Sequence, residues 1–114
     1  MRERVLIVED NKALAKLIAK KMNAHVDMDI VVTHSYAEAI EAIEENDDFF
    51  IALLDINLPD APDGEVVDYV LSKNILAIIL TGSVDENLKK LFIQKNIVDY
   101  VVKEGDNISK LAAI

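Results

Sequence analysis

A doubly wound α/β domain on a five-stranded parallel sheet is what the sequence predicts, and three observations predict it. Short, continuous apolar runs rich in Val, Ile and Leu recur along the chain. Continuous rather than alternating apolar character marks strands covered on both faces, the habit of parallel sheets. Segments of helical periodicity lie between these runs, and the order strand–helix repeats five times. Parallel neighbours separated by helices need right-handed crossover connections, and the layered sandwich follows.

The elements come in this order. Val5-Leu6-Ile7-Val8 is the first strand, and Leu14, Leu17, Ile18 and Met22 form the apolar face of the first helix, opposite Lys16 and Lys20. Ile30-Val31-Val32 is the second strand; Tyr36, Ile40 and Ile43 mark the second helix. The third strand runs from Phe49 to Leu54, and its helix carries Val66, Val67, Val70 and Leu71. Leu76 to Leu80 is the fourth strand, followed by Val84, Leu88, Leu91 and Phe92 on a fourth helix. Val98 to Val102 is the fifth strand, and Ile108, Leu111 and Ala112 open a last helix. Ser35-Tyr36-Ala37-Glu38 and Ser83-Val84-Asp85-Glu86 fit the capping box that starts a helix. Asp63 and Asp106 or Asn107 are expected to cap the third and fifth helices. Phe49 and Phe50 are expected in the core, and His25 and His34 on the surface.

Composition narrows the function. The 114 residues allow one domain, and an apolar content of 52% is enough to build a core. Twelve basic against 21 acidic residues leave a net charge of −9, which disfavours nucleic acid and anionic membrane surfaces as partners. No apolar run approaches the ~20 residues of a membrane-spanning helix. The absence of Cys removes disulfide scaffolds and thiolate metal sites and agrees with a cytoplasmic home. The three glycines, Gly64, Gly82 and Gly105, are too scattered for a nucleotide-binding loop, and no Ser-His-Asp or Cys-His arrangement can be argued.

In open α/β sheets the site lies beyond the carboxyl ends of the strands, where the winding reverses. For the strand order 2-1-3-4-5, that places Glu9 and Asp10 (after the first strand) beside Asp55 (after the third). Thr81-Gly82-Ser83 follow the fourth strand and Lys103 follows the fifth. Three carboxylates in one crevice call for a counter-charge, and a hard divalent cation such as Mg2+ supplies it. With a lysine and a hydroxyl added, the set suits a transferring phosphoryl group, and an Asp can itself be the nucleophile. Each group also has an ordinary use taken singly: helix cap for Glu9-Asp10, turn for Asp55, turn plus cap for Thr81-Gly82-Ser83, surface charge for Lys103. Their joint placement at strand ends is what those uses leave unexplained.

Four motifs, in this order and spacing, resemble a response-regulator receiver domain of two-component signalling, with the flavodoxin-like (βα)5 fold. They are Val5-Leu6-Ile7-Val8-Glu9-Asp10, Leu54-Asp55-Ile56-Asn57-Leu58-Pro59 with Gly64 following, Ile79-Leu80-Thr81-Gly82, and Asp99-Tyr100-Val101-Val102-Lys103. The resemblance covers essentially the whole chain, 1–114. It implies Asp55 as the phosphoacceptor and Glu9 and Asp10 as the acidic pair for Mg2+, with Asp10, Asp55 and the carbonyl of Asn57 as direct ligands. Thr81 would donate to the phosphoryl group, Gly82 would leave room for it, and Lys103 would pair with one of its oxygens. Tyr100 would switch together with Thr81, while Asn57 and Ser83 would tune dephosphorylation. The implied partners are a sensor histidine kinase or phosphotransfer protein. An output domain or second receiver would be reached through the face of the fourth helix, fifth strand and fifth helix. On this reading the chain catalyses only its own phosphorylation and dephosphorylation, and is no enzyme in its own right.

Two departures stand out. Glu104 follows Lys103 where the family usually has Pro, so a trans peptide bond is expected there. The stretch Pro59 to Gly64 is one residue longer than the commonest form, which puts Asp60 and Asp63 on the rim of the pocket. The stretches Leu58 to Gly64 and Tyr100 to Gly105 are similar to receivers joined to diguanylate cyclase (GGDEF-type) output domains. The short last helix, ending at Ile114, points to a piece of a longer multidomain protein. Two alternatives stay open at this point: an unphosphorylated pseudo-receiver used for docking, and a Mg2+-dependent phosphohydrolase with an aspartyl nucleophile.

Overall fold

The computed structural model describes residues 3–25, 27–46, 48–82, 87, 90–91, 94–95 and 97–103. The expected helix caps at Ser83 and at Asp106 or Asn107, most of the fourth helix, all of the fifth, and the peptide bond to Glu104 lie outside the described residues.

Within them the chain runs β1 (Arg4–Val8), α1 (Lys12–His25), β2 (Asp29–Thr33), α2 (Tyr36–Glu45), β3 (Phe49–Asp55), α3 (Glu65–Ser72), β4 (Leu76–Thr81) and β5 (Asp99–Val102). All strands pair in parallel, in the order β2-β1-β3-β4-β5. The expected flavodoxin-like sheet is therefore the observed one.

Successive strand residues point to opposite faces, and both faces are covered. One layer packs Leu6, Val8, Ala52, Leu54, Ala77 and Ile79 against Ala39 and Ile43 of α2 and Val66, Val67 and Val70 of α3. The other packs Val5, Ile7, Ile51, Leu53, Ile78 and Leu80 against Ile18 and Met22 of α1. This double burial is why β1, β3 and β4 read as unbroken apolar runs.

Several local expectations are corrected. Phe50 is 44% exposed while Phe49 is buried. The register shifts between Arg4↔Phe49 and Val5↔Ile51, so Phe50 is an extra, unmatched residue in β3. Phe49 lies beneath the Arg4 guanidinium, 4.4 Å from the ring centroid. Leu17 and Leu91 are also exposed; on α1 it is Ala15 that completes the buried face. Asn11, rather than Glu9 or Asp10, caps α1: its Oδ1 accepts from Leu14 N at 3.1 Å. Asp63 does not cap α3. The N-cap is Gly64 in the left-handed region (φ 75°), a backbone that glycine adopts without strain.

Ile79 is fully buried in the sheet, whereas Leu76 at the start of the same strand is 42% exposed. Ile79→Ala is expected to cost about 2–5 kcal/mol in urea denaturation, and Leu76→Ala less than about 1 kcal/mol. Equal losses would contradict the packing described.

Candidate functional site

Strand register brings the polar residues together. Val8 pairs with Leu54, so Glu9 stands level with Asp55 at the carboxyl end of the sheet. Thr81 pairs with Val102, and the Lys103 amide donates to the Thr81 carbonyl at 2.7 Å, which leads the Lys103 side chain to the same edge. Glu9, Asp55 and Thr81 are all buried, although each is polar.

One carboxylate oxygen from each of Glu9, Asp10 and Asp55 lies within 4.8 Å of the others. Lys103 Nζ stands 2.5 Å from Glu9 Oε1 and 3.2 Å from Asp55 Oδ2. The remaining oxygens are also engaged: Asn11 N donates to Glu9 Oε2 at 3.1 Å, and Asn57 N donates to Asp55 Oδ1 at 2.8 Å. Asp10 is exposed and forms the solvent side of the cluster.

Charge and burial compete here. Burial is the largest influence on Glu9 and pushes it up to about 7, against the pull of Lys103 and the Asn11 amide. Asp10 is held below the usual carboxylate range, chiefly by its side-chain hydrogen bond with Asp55. Burial alone would lower Lys103, but the Glu9 and Asp55 carboxylates outweigh it and hold the ammonium above its ordinary value. Three carboxylates face one ammonium, so full ionisation leaves an excess of two negative charges, which a divalent cation would neutralise. The donor set is all oxygen, which fits Mg2+.

Other sequence-derived residues fall as follows. Asn57 is exposed, and its position two residues after Asp55 leaves no second acid there for a phosphohydrolase. Among the described residues, a Cβ at Gly82 would meet no atom within 4 Å. Tyr100 is half-buried against the α2–α3 layer, and its hydroxyl is buried without a hydrogen-bond partner among the described residues. Ser83 lies outside the described residues.

Two residues make contacts that sequence reasoning missed. His34 is half-buried rather than a surface residue, and its Nδ1 lies 3.0 Å from the Glu9 carbonyl oxygen. A carbonyl only accepts, so Nδ1 carries the proton. Asp60, expected on the pocket rim, has both of its oxygens turned to another task. Its two oxygens accept from Tyr36 N at 2.9 Å and Ala37 N at 3.0 Å, at the start of α2. These two amides hold Asp60 below the usual carboxylate range.

Comparison with known proteins now decides the family. The response regulator receiver domain model matches residues 5–114. The chain belongs to the response regulator receiver domain family. Among solved structures it is similar to the signal receiver domain assigned as a LuxO repressor protein from Vibrio parahaemolyticus, with 30% identity and a TM-score of 0.86 over 99% of this chain and 86% of that one. It is similar to a two-component system response regulator/GGDEF domain protein at 26% identity and TM-score 0.82, covering 97% of this chain but only 44% of that one. It shares the fold of a CheY-like receiver domain protein from Methanospirillum hungatei JF-1, with 23% identity and TM-score 0.84 over 99% and 90% of the two chains. No curated protein sequence matches the chain. Among the described residues, no helix of this receiver domain is long and apolar enough to cross a membrane.

Between its ordinary value of 4.5 and about 7, Glu9 keeps a proton in the folded receiver that the unfolded chain has released. Stability on this account is greatest below the lower value and declines as pH rises to the upper one, by up to about 3 kcal/mol. Glu9→Gln cannot ionise and is expected to flatten that decline in denaturation of the metal-free protein. An unchanged slope would contradict the assignment.

Proposed function

We propose that this receiver accepts a phosphoryl group on Asp55 from the phosphohistidine of a sensor kinase or phosphotransfer protein. The convergence of Glu9, Asp10 and Asp55 within 4.8 Å, facing Lys103, carries this reading. Bound Mg2+ would neutralise the acids and polarise the phosphoryl oxygens, held by Asp10, Asp55 and the Asn57 carbonyl with Glu9 behind them.

The chain's own groups do the rest. The Asn57 amide and Lys103 orient the Asp55 carboxylate, which needs no further reorganisation before attack. An Asp55 oxygen forms the bond to phosphorus as the donor's P–N bond breaks, and the electron pair leaves with the imidazole, which takes up a proton. Lys103 already holds a charge that the new phosphoryl oxygens can share. Thr81, at the end of β4, supplies a hydroxyl beside the small residue Gly82. Drawing Thr81 toward the phosphoryl group frees room for Tyr100 to move, and a pre-existing two-state equilibrium shifts. Asn57 and Ser83 then set the lifetime of the acyl phosphate.

The chain acts in the cytoplasm as the receiver of a longer protein, and an output domain or a second receiver reads the altered face of the fourth helix, β5 and the fifth helix. A GGDEF-type output is supported by the likeness to a protein of which this chain spans 44%. The net charge of −9 gives nucleic acid no general attraction to the receiver itself.

Acetyl phosphate with Mg2+ is expected to add about 80 Da, one phosphoryl group, to the intact mass. EDTA or Asp55→Asn should abolish the gain, and Lys103→Ala should cut its rate at least ~100-fold. No gain on the wild-type chain, under conditions that load another receiver, would overturn the proposal.

A further inference from the structure

The hydrogen bonds around the pocket continue beyond it into a closed circuit. Thr33 O accepts from Glu9 N at 3.0 Å, and Thr33 Oγ1 donates to Ile7 O at 2.9 Å, so the end of β2 is fastened to the end of β1. His34 then donates from Nδ1 to the Glu9 carbonyl at 3.0 Å. Two and three residues on, the amides of Tyr36 and Ala37 are held by the two oxygens of Asp60. Asp60 lies on the loop that leaves Asp55, and that loop is itself braced by Ala61 N donating to Leu58 O at 3.0 Å, with both residues fully buried. The circuit closes through Asn57 N on Asp55 and Lys103 between Asp55 and Glu9.

We propose that Asp60 and His34 are positioning residues, and that segment 33–37 is a strap that fixes the loop carrying Asn57 against the loop carrying Glu9 and Asp10. The inference deepens the reading of the pocket as a Mg2+-dependent phosphoacceptor and rests on it for its metal-binding arm. The two halves of the proposed ligand set sit on different loops, Asp10 after β1 and Asn57 after β3. Their separation is held from the protein side by Lys103 and from the rim side by the strap. Asp60 also carries that constraint to the first turn of α2, so the α2 N-terminus senses what happens beside Asp55.

Helix capping offers an internal control. Ser35 Oγ accepts from Glu38 N at 3.1 Å and caps the same helix, but it does not reach the Asp55 loop. Both Asp60→Ala and Ser35→Ala uncap α2; only the first cuts the strap.

The test is Mg2+ titration by calorimetry, with amide NMR spectra of the metal-free proteins alongside. Asp60→Ala is expected to weaken Mg2+ binding about three- to ten-fold and to move the Glu9 and Asn11 amide signals, and Ser35→Ala to do neither. His34→Ala should weaken binding similarly, and the double variant no more than the worse single one, because both cut one path. Equal effects from Asp60→Ala and Ser35→Ala, or unmoved Glu9 and Asn11 signals, would overturn the strap. Should Asp60→Ala fail to fold, Asp60→Asn, which keeps one acceptor oxygen, gives the same comparison. If the wild-type chain binds no Mg2+, the phosphoacceptor reading falls, and the amide signals alone decide the strap.

Discussion

The ammonium of Lys103 between Glu9 and Asp55 is the interaction on which the site depends. Two buried carboxylates at the end of a parallel sheet would repel each other and lose hydration, and neither loss is recovered by the apolar layers beneath them. A single lysine reaching across β4 from the end of β5 offsets both. Its aim is set by backbone, since the Lys103 amide is tied to Thr81 before the side chain turns into the pocket. The arrangement is poised rather than settled: one positive charge serves three acids, and Glu9 remains drawn toward its protonated form.

That poise suits the switching role proposed for the domain. The sheet is rigid because apolar layers pack on both faces, and it delivers Glu9, Asp55, Thr81 and Lys103 to one edge with their positions fixed by register. The loops beyond the edge share in those layers only at Ile56, Leu58 and Ala61 after β3. Elsewhere they are fastened by hydrogen bonds, from Asn11, Asn57, His34 and Asp60, and the proposed phosphorylation of Asp55 would exchange such bonds. Local groups with modest individual strength thus stand between the reacting centre and the helices that a partner would read.

Much of this was legible in the sequence. Both-sided burial writes itself as continuous apolar runs, so the sheet and its order could be read from Val5–Val8, Phe49–Leu54 and Leu76–Leu80. Chemistry at strand ends follows from topology, which is why the acids and Lys103 could be grouped before any coordinates. The structure departs where the deciding contact is distant or depends on register. Nothing near Asp60 announces that its oxygens will cap a helix 23 and 24 residues earlier. His34 lacks any ligand-like spacing because its partner is a backbone carbonyl. Phe50 reads as core until a shift in pairing with β1 leaves it unmatched. In Glu9-Asp10-Asn11, three polar residues in a row can each start a helix; burial of Glu9 in the pocket leaves the capping to Asn11.

The most direct test of the central claim is the stability of Lys103→Met in urea, measured without divalent metal and again with Mg2+. Removing the ammonium strands two buried acids, so a loss of about 3–5 kcal/mol is expected in the metal-free chain, largely restored when Mg2+ supplies the missing positive charge. A variant as stable as the wild type without metal, or one indifferent to Mg2+, would contradict the account.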